Sequence, residues 1–156
     1  MESAINVKLD FSGLEPIKKA CKILSKRVEV GVLHNAEEAE IAELQHNGGI
    51  GVYQYGRYEG EEVAVPPRPF LMRAIEHYGK EILEENASLL KNFNESEAKT
   101  VLNRVGDMSK FVVQKEIDYI ASMGGNSPRT IETKGKDSPL IDTGKMRASI
   151  EYEVVK

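Results

Sequence analysis

With 156 residues, 40% of them hydrophobic and 29% charged, the chain is long enough to bury one domain core and has the composition of a soluble globular protein. A net charge of −4 and a pI near 5.5 argue against a dominant nucleic-acid or anionic-membrane surface. The sequence holds no apolar run of bilayer length, opens Met1-Glu2-Ser3 without a signal-peptide pattern, and its single Cys21 excludes an internal disulfide and fits a reducing cytoplasm.

Ile5 to Phe11 alternates apolar and polar residues, which predicts a half-buried strand. Ser12-Gly13 turns the chain, and Leu14 to Lys26 reads as an amphipathic helix with Pro16 in its first turn. Cys21 falls in line with Leu14, Ile17 and Leu24 at helical spacing, so a small buried core residue is expected there rather than a nucleophile. Arg27 to Leu33 reads as a second strand. Asn35, with Glu38 three residues on, opens a helix over Ala36–His46 that Asn47-Gly48-Gly49 stops. Ile50–Tyr55 and Glu61–Val65 form a hairpin around Gly56 to Gly60.

Val65-Pro66-Pro67-Arg68-Pro69-Phe70 is the hinge of the chain. Its prolines hold the approach extended, and Pro69 suits the start of a helix. Leu71, Ile75, Tyr78, Ile82, Leu89 and Phe93 then follow at helical spacing. After a break near Asn92 to Glu95, a second run carries Ala98, Val101, Leu102, Val105, Val112, Val113, Ile117 and Ile120. Gly124 to Ser138 is a long polar segment with little periodicity, expected to be a mobile arm that orders against another surface. Asp142 or Thr143 caps a short turn through Lys145-Met146-Arg147, and Ser149 to Val155 closes the chain as a strand. These elements predict one α+β domain over residues 1–156. In it a small, mainly antiparallel sheet, in which the chain ends pair, packs against two long central helices, with a long extended loop before the last strand.

No stretch assembles an active site. Asp142-Thr143-Gly144 matches the catalytic tripeptide of aspartic proteases, but that chemistry needs two carboxylates, and too few residues follow here to build a cleft. His34, His46 and His77 are scattered, without metal-ligand spacing. Gly48-Gly49-Ile50-Gly51 lacks the strand-before-helix context of a phosphate loop. Tyr53, Tyr55 and Tyr58 lie near Arg57 and Arg68 and could stack on single-stranded nucleic acid, although alternating tyrosines more often form cross-strand pairs or an interface patch.

The segments Pro66-Pro67-Arg68-Pro69-Phe70-Leu71, Asn126-Ser127-Pro128-Arg129-Thr130-Ile131 and Pro139-Leu140-Ile141-Asp142-Thr143-Gly144-Lys145-Met146-Arg147-Ala148-Ser149-Ile150, in this order around a helical middle, resemble the tail-completion and virion-morphogenesis proteins of tailed bacteriophages. The resemblance runs from about residue 28 to the end. This chain departs from it at Gln45-His46-Asn47, where family members often carry an acidic residue and an aromatic, and in its longer hairpin. The resemblance implies a structural virion protein without catalysis or cofactor, assembled in the bacterial cytoplasm and placed at the neck or head-proximal tail. Copies would form a ring, a hexamer or alternatively a dodecamer, between the head–tail connector and the tail tube protein. DNA would pass through its lumen without specific binding, and no membrane is involved. The contrasting reading is a small nucleic-acid-binding or hydrolytic prophage protein. Interface candidates are Tyr53, Tyr55, Arg57, Tyr58, Arg68, Arg129, Lys134, Lys136 and Arg147.

Overall fold

The computed structural model describes residues 12–156; the strand read over Ile5–Phe11 lies outside them. A 3-10 turn, Ser12–Leu14, leads into α1 (Glu15–Leu24), followed by β1 (Arg27–Gly31) and α2 (Ala36–Asn47). Next come the hairpin strands β2 (Gly49–Val52) and β3 (Glu62–Val65), then the helices α3 (Phe70–Ala87) and α4 (Glu95–Met123). Two short helices, α5 (Pro128–Lys134) and α6 (Lys145–Ala148), precede β4 (Glu151–Val155). The class is α+β, as expected. The 29-residue α4 is the longest described element, and the 18-residue α3 runs back along it; the other four α-helices among the described residues are shorter.

The caps explain where the helices begin and end. The Asn35 side chain accepts from the Glu38 N–H at 3.2 Å and opens α2, and Asn94 does the same for α4 through Glu97 at 2.9 Å. Gly48, at φ +75°, ends α2, and a Cβ there would stand 2.8 Å from the Pro67 nitrogen. A glycine is therefore needed where the proline hinge crosses the end of α2. Arg68 N–H bonds back to the Gln45 carbonyl at 2.9 Å, fixing the hinge to that helix.

The core lies between α3, α4 and the closing segment. Phe70, Ile117, Ile150, Val113 and Pro139 are fully buried, and Leu140 and Met146 join the same cluster. Residues of the proline hinge and of the segment before β4 thus meet in one core. On α3 the buried face runs Phe70, Ala74, Ile82 and Asn86, while Ile75 and Phe93 are exposed. The apolar stripe read from sequence is therefore rotated, because small Ala74 lets α4 approach and Asn86 enters the core with its own partners. Its amide donates to the Ile82 carbonyl at 2.7 Å and its oxygen accepts from Arg104 at 3.1 Å.

Three further expectations are corrected. β4 pairs antiparallel with β1, Arg27 opposite Val155 through Gly31 opposite Glu151, but the hairpin forms a separate ribbon with Gly49 opposite Val65. Among the described residues there are thus two two-stranded sheets rather than one sheet. Cys21 is exposed, not buried, because α1 turns Ala20 toward α4 and leaves Ile17 and Leu14 open as well. Residues 124–138 are not wholly extended. Ser127 caps α5 by accepting from the Thr130 N–H at 3.2 Å, Pro128 occupies its first turn, and Gly135 at φ +71° ends it.

Candidate functional site

The hairpin tip folds over α5, and most of the interface candidates gather in that lobe. Tyr53 follows the inward side of β2, is buried, and its hydroxyl lies 3.2 Å from Thr130 Oγ1. Its ring centroid is 5.8 Å from that of Tyr58. The Tyr58 hydroxyl donates to Glu132 at 2.8 Å, and that hydrogen bond raises the phenol's pKa above its ordinary value. Arg129 stands 5.0 Å from the Tyr58 centroid and Arg57 5.8 Å. Arg129 also reaches Glu61 at 3.1 Å, and Arg57 reaches Glu132 at 3.6 Å. At Gly56, φ +83°, a Cβ would come 3.2 Å from the Thr133 methyl, so the tip needs glycine to lie this close to α5. These ion pairs are exposed and individually weak. Burial of Tyr53 and the stacked cation–ring contacts carry more of the lobe's cohesion.

A second group ties α5 to the rest of the domain. Tyr55 donates to Asp142 at 2.5 Å, and that hydrogen bond, with burial and the carboxylate's charge, pushes the Tyr55 phenol up to about 12. Lys136 Nζ donates to the Asp142 carbonyl at 2.9 Å, and Lys134 Nζ to the Ser138 carbonyl at 2.7 Å. Burial draws the Lys134 pKa down. Arg68, whose pKa burial also lowers, reaches the Gly125 carbonyl at 3.4 Å and Asn126 Oδ1 at 3.5 Å. The Asp137 carboxylate accepts from the backbone N–H groups of Gly125 and Asn126 at 3.0 and 2.9 Å, which holds its pKa below the usual carboxylate range.

Arg147 stands apart from this lobe. It grips Asp118 of α4 with two hydrogen bonds of 2.6 and 2.7 Å, which raise the guanidinium's pKa, while Gln114 donates to its carbonyl at 3.1 Å. It locks α6 to α4.

Sequence reasoning did not assign to the lobe the hydroxyl and carboxylates that complete it: Thr130, Glu61, Glu132, Asp137 and Asp142, the last read as a cap of the turn that follows although its carboxylate binds Tyr55 and α6 starts at Gly144 without a side-chain cap. Except for Asp137, which bonds Gly125 and Asn126, their partners are distant in sequence, and no local spacing announces them. It also missed two histidine contacts. His34 lies 2.7 Å from Glu151 Oε1, joining the exit of β1 to β4, and His77 lies 3.9 Å from Glu116. Glu116 is only 4% exposed and takes a 2.7 Å hydrogen bond from Arg73. His46 packs edge-on against Phe70 and lines an open depression of about 300 Å³ with Val32, Leu33, Ala42 and Leu71. Among the described residues, no group of three or more His, Cys, Asp or Glu is placed to hold a metal ion, and no helix is long and apolar enough to cross a membrane.

The site is therefore a cross-braced, solvent-facing lobe of tyrosines and paired charges. Its arginines and lysines are already engaged by carboxylates, carbonyls and ring faces of the same chain. Such a surface can present aromatic rings and ordered backbone to another protein. Comparison with protein-family models, with curated proteins and with solved structures finds no match.

Proposed function

We propose that this chain is a structural subunit of the head–tail junction of a tailed bacteriophage, a ring that completes the tail and joins it to the connector while DNA passes through. The observation that carries this reading is the resemblance of the Pro66–Leu71 and Pro139–Ile150 segments to that family. Its physical support is that Phe70, Leu140, Met146 and Ile150 pack in one core. Both segments therefore contribute side chains to the same core, which is compatible with this reading.

On this reading the chain performs no catalysis and needs no cofactor. Its working surface is the lobe built by Tyr53, Tyr55, Arg57, Tyr58, Arg129, Lys134 and Lys136, with Arg68 bracing its base. The arm expected over residues 124–138 then becomes part of a composite unit, hairpin plus α5, that shifts or tightens as one body when it meets a neighbouring subunit, the tail tube or the connector. Engagement of the basic side chains within the chain supports a lumen along which DNA slides without sticking.

Removal of the gene from its phage or prophage tests the reading. The expected outcome is filled heads and separate tails accumulating side by side in lysates viewed by electron microscopy. Normal joined particles would overturn it.

A further inference from the structure

The β2–β3 ribbon carries apolar side chains on both faces, with Val63 and Val65 on the half-buried one. Its inner side carries Gly49 and Gly51, where a Cβ would come 3.1 Å from the Leu44 side chain. Its outer side carries Ile50 and Val52, 65% and 48% exposed, opposite Ala64 and Glu62. A two-stranded ribbon is marginally stable alone, and β-branched residues aimed at water are a liability that a partner surface removes.

A second uncovered surface lies on α4. Phe111, Lys115 and Tyr119 follow one another at intervals of one helical turn, and the two aromatics are 64% and 50% exposed. Lys115 Nζ sits 5.1 Å from the Tyr78 ring centroid. Among the described residues neither Lys115 nor Glu62 has an ion-pair partner. Each patch thus combines exposed apolar side chains with a charge outside any ion pair, and the two charges are opposite.

We infer that the outer face of the β2–β3 ribbon of one copy docks on the Phe111–Tyr119 stripe of α4 in the next, with Glu62 facing Lys115. The two patches belong to different elements, so the contact is head-to-tail. Such a contact repeats around an axis and closes as a ring when the rotation permits. Complementary charges at the edge of an apolar contact set its register and reject the reversed pairing. This inference rests on the ring reading above and supplies its subunit contact.

Charge reversal tests it in the full chain by native mass spectrometry and sedimentation velocity, from micromolar to millimolar concentration. Wild type is expected to self-associate beyond the dimer. Glu62→Lys and Lys115→Glu are each expected to weaken association about tenfold, and the double variant to restore it. All three alter exposed side chains; Lys115→Glu also gives up the Tyr78 ring contact, so unchanged circular dichroism with a cooperative melt confirms the fold. A wild-type chain that stays monomeric throughout overturns the inference. So does association that stops at a dimer, or that neither reversal disturbs, or single losses that the double variant does not recover. A ring indifferent to both reversals would leave the head–tail reading standing, whereas normal particles made without the gene would remove that reading and leave this contact untouched.

Discussion

At the scale of single residues, burial and close approach decide which side chains matter. Phe70 is fully buried where the hinge meets α3, so Phe70→Ala is expected to cost about 3–5 kcal/mol in denaturant unfolding. That is much of a small domain's stability, and a midpoint close to wild type would contradict the core described here. Gly106 sits at the closest approach of α4 to β4, where a Cβ would overlap the Tyr152 ring. Alanine is the better helix former, yet Gly106→Ala is expected to destabilise by about 1–3 kcal/mol, with partial recovery when Tyr152→Val is added. A gain in stability from Gly106→Ala alone would show that β4 stands further off. Tyr55 ionises near 12 because its proton is held by Asp142. Since the folded value lies above the ordinary one, the contact contributes fully below about pH 10 and is lost as pH rises through 12. In Asp142→Asn the ultraviolet or NMR titration of Tyr55 is expected to move down toward 10; an unmoved titration would mean that the carboxylate is not its partner.

The long elements were legible from sequence because their signals are repeated many times. Asn35 with Glu38 marks a helix start at the position found, the break read near Asn92 to Glu95 falls where Asn94 caps α4, and the apolar period of α4 survives over eight turns. Short elements offered too few residues for a period to register. Ser127-Pro128 and Gly135 are a start and a stop signal seven residues apart, yet the polar content between them masked a two-turn helix. The exposed side of α1 was unreadable for another reason: Leu14, Ile17 and Cys21 form a valid apolar stripe, and only the position of α4 decides that Ala20 is the residue turned inward. The lobe itself was half legible. Its tyrosines and basic residues stood out as types, but the carboxylates that bind them lie about 70 to 90 positions away. Asp137 is the pin that holds α5 in place. Its depressed pKa means that its contribution is complete above the ordinary carboxylate range and fades as pH falls through the lower folded value. Asp137→Asn is therefore expected to raise amide exchange across Thr130 to Lys136 at neutral pH while α4 stays protected. Equal protection in mutant and wild type would assign the anchoring of α5 to the tyrosine contacts instead.

At the scale of the whole molecule, α3 and α4 form the central column, the β1–β4 ribbon and α1 lie along α4, and the hairpin and α5 form a lobe braced by Arg68, Lys136 and Tyr55. This division suits a ring subunit, in which the column keeps its shape while the lobe adapts to neighbours. Deletion of Arg129 to Lys136 is expected to leave the column folded, with its far-ultraviolet circular dichroism reduced only by the lost turns, and to stop heads and tails from joining. The central claim is that this chain works as a ring on the axis between head and tail. Cryo-electron microscopy of the assembled particle, with density traced for α3 and α4, tests it most directly. The account predicts a closed ring of this chain between connector and tail tube, with DNA along its centre. Copies lying off the axis, or scattered over the capsid, would contradict it.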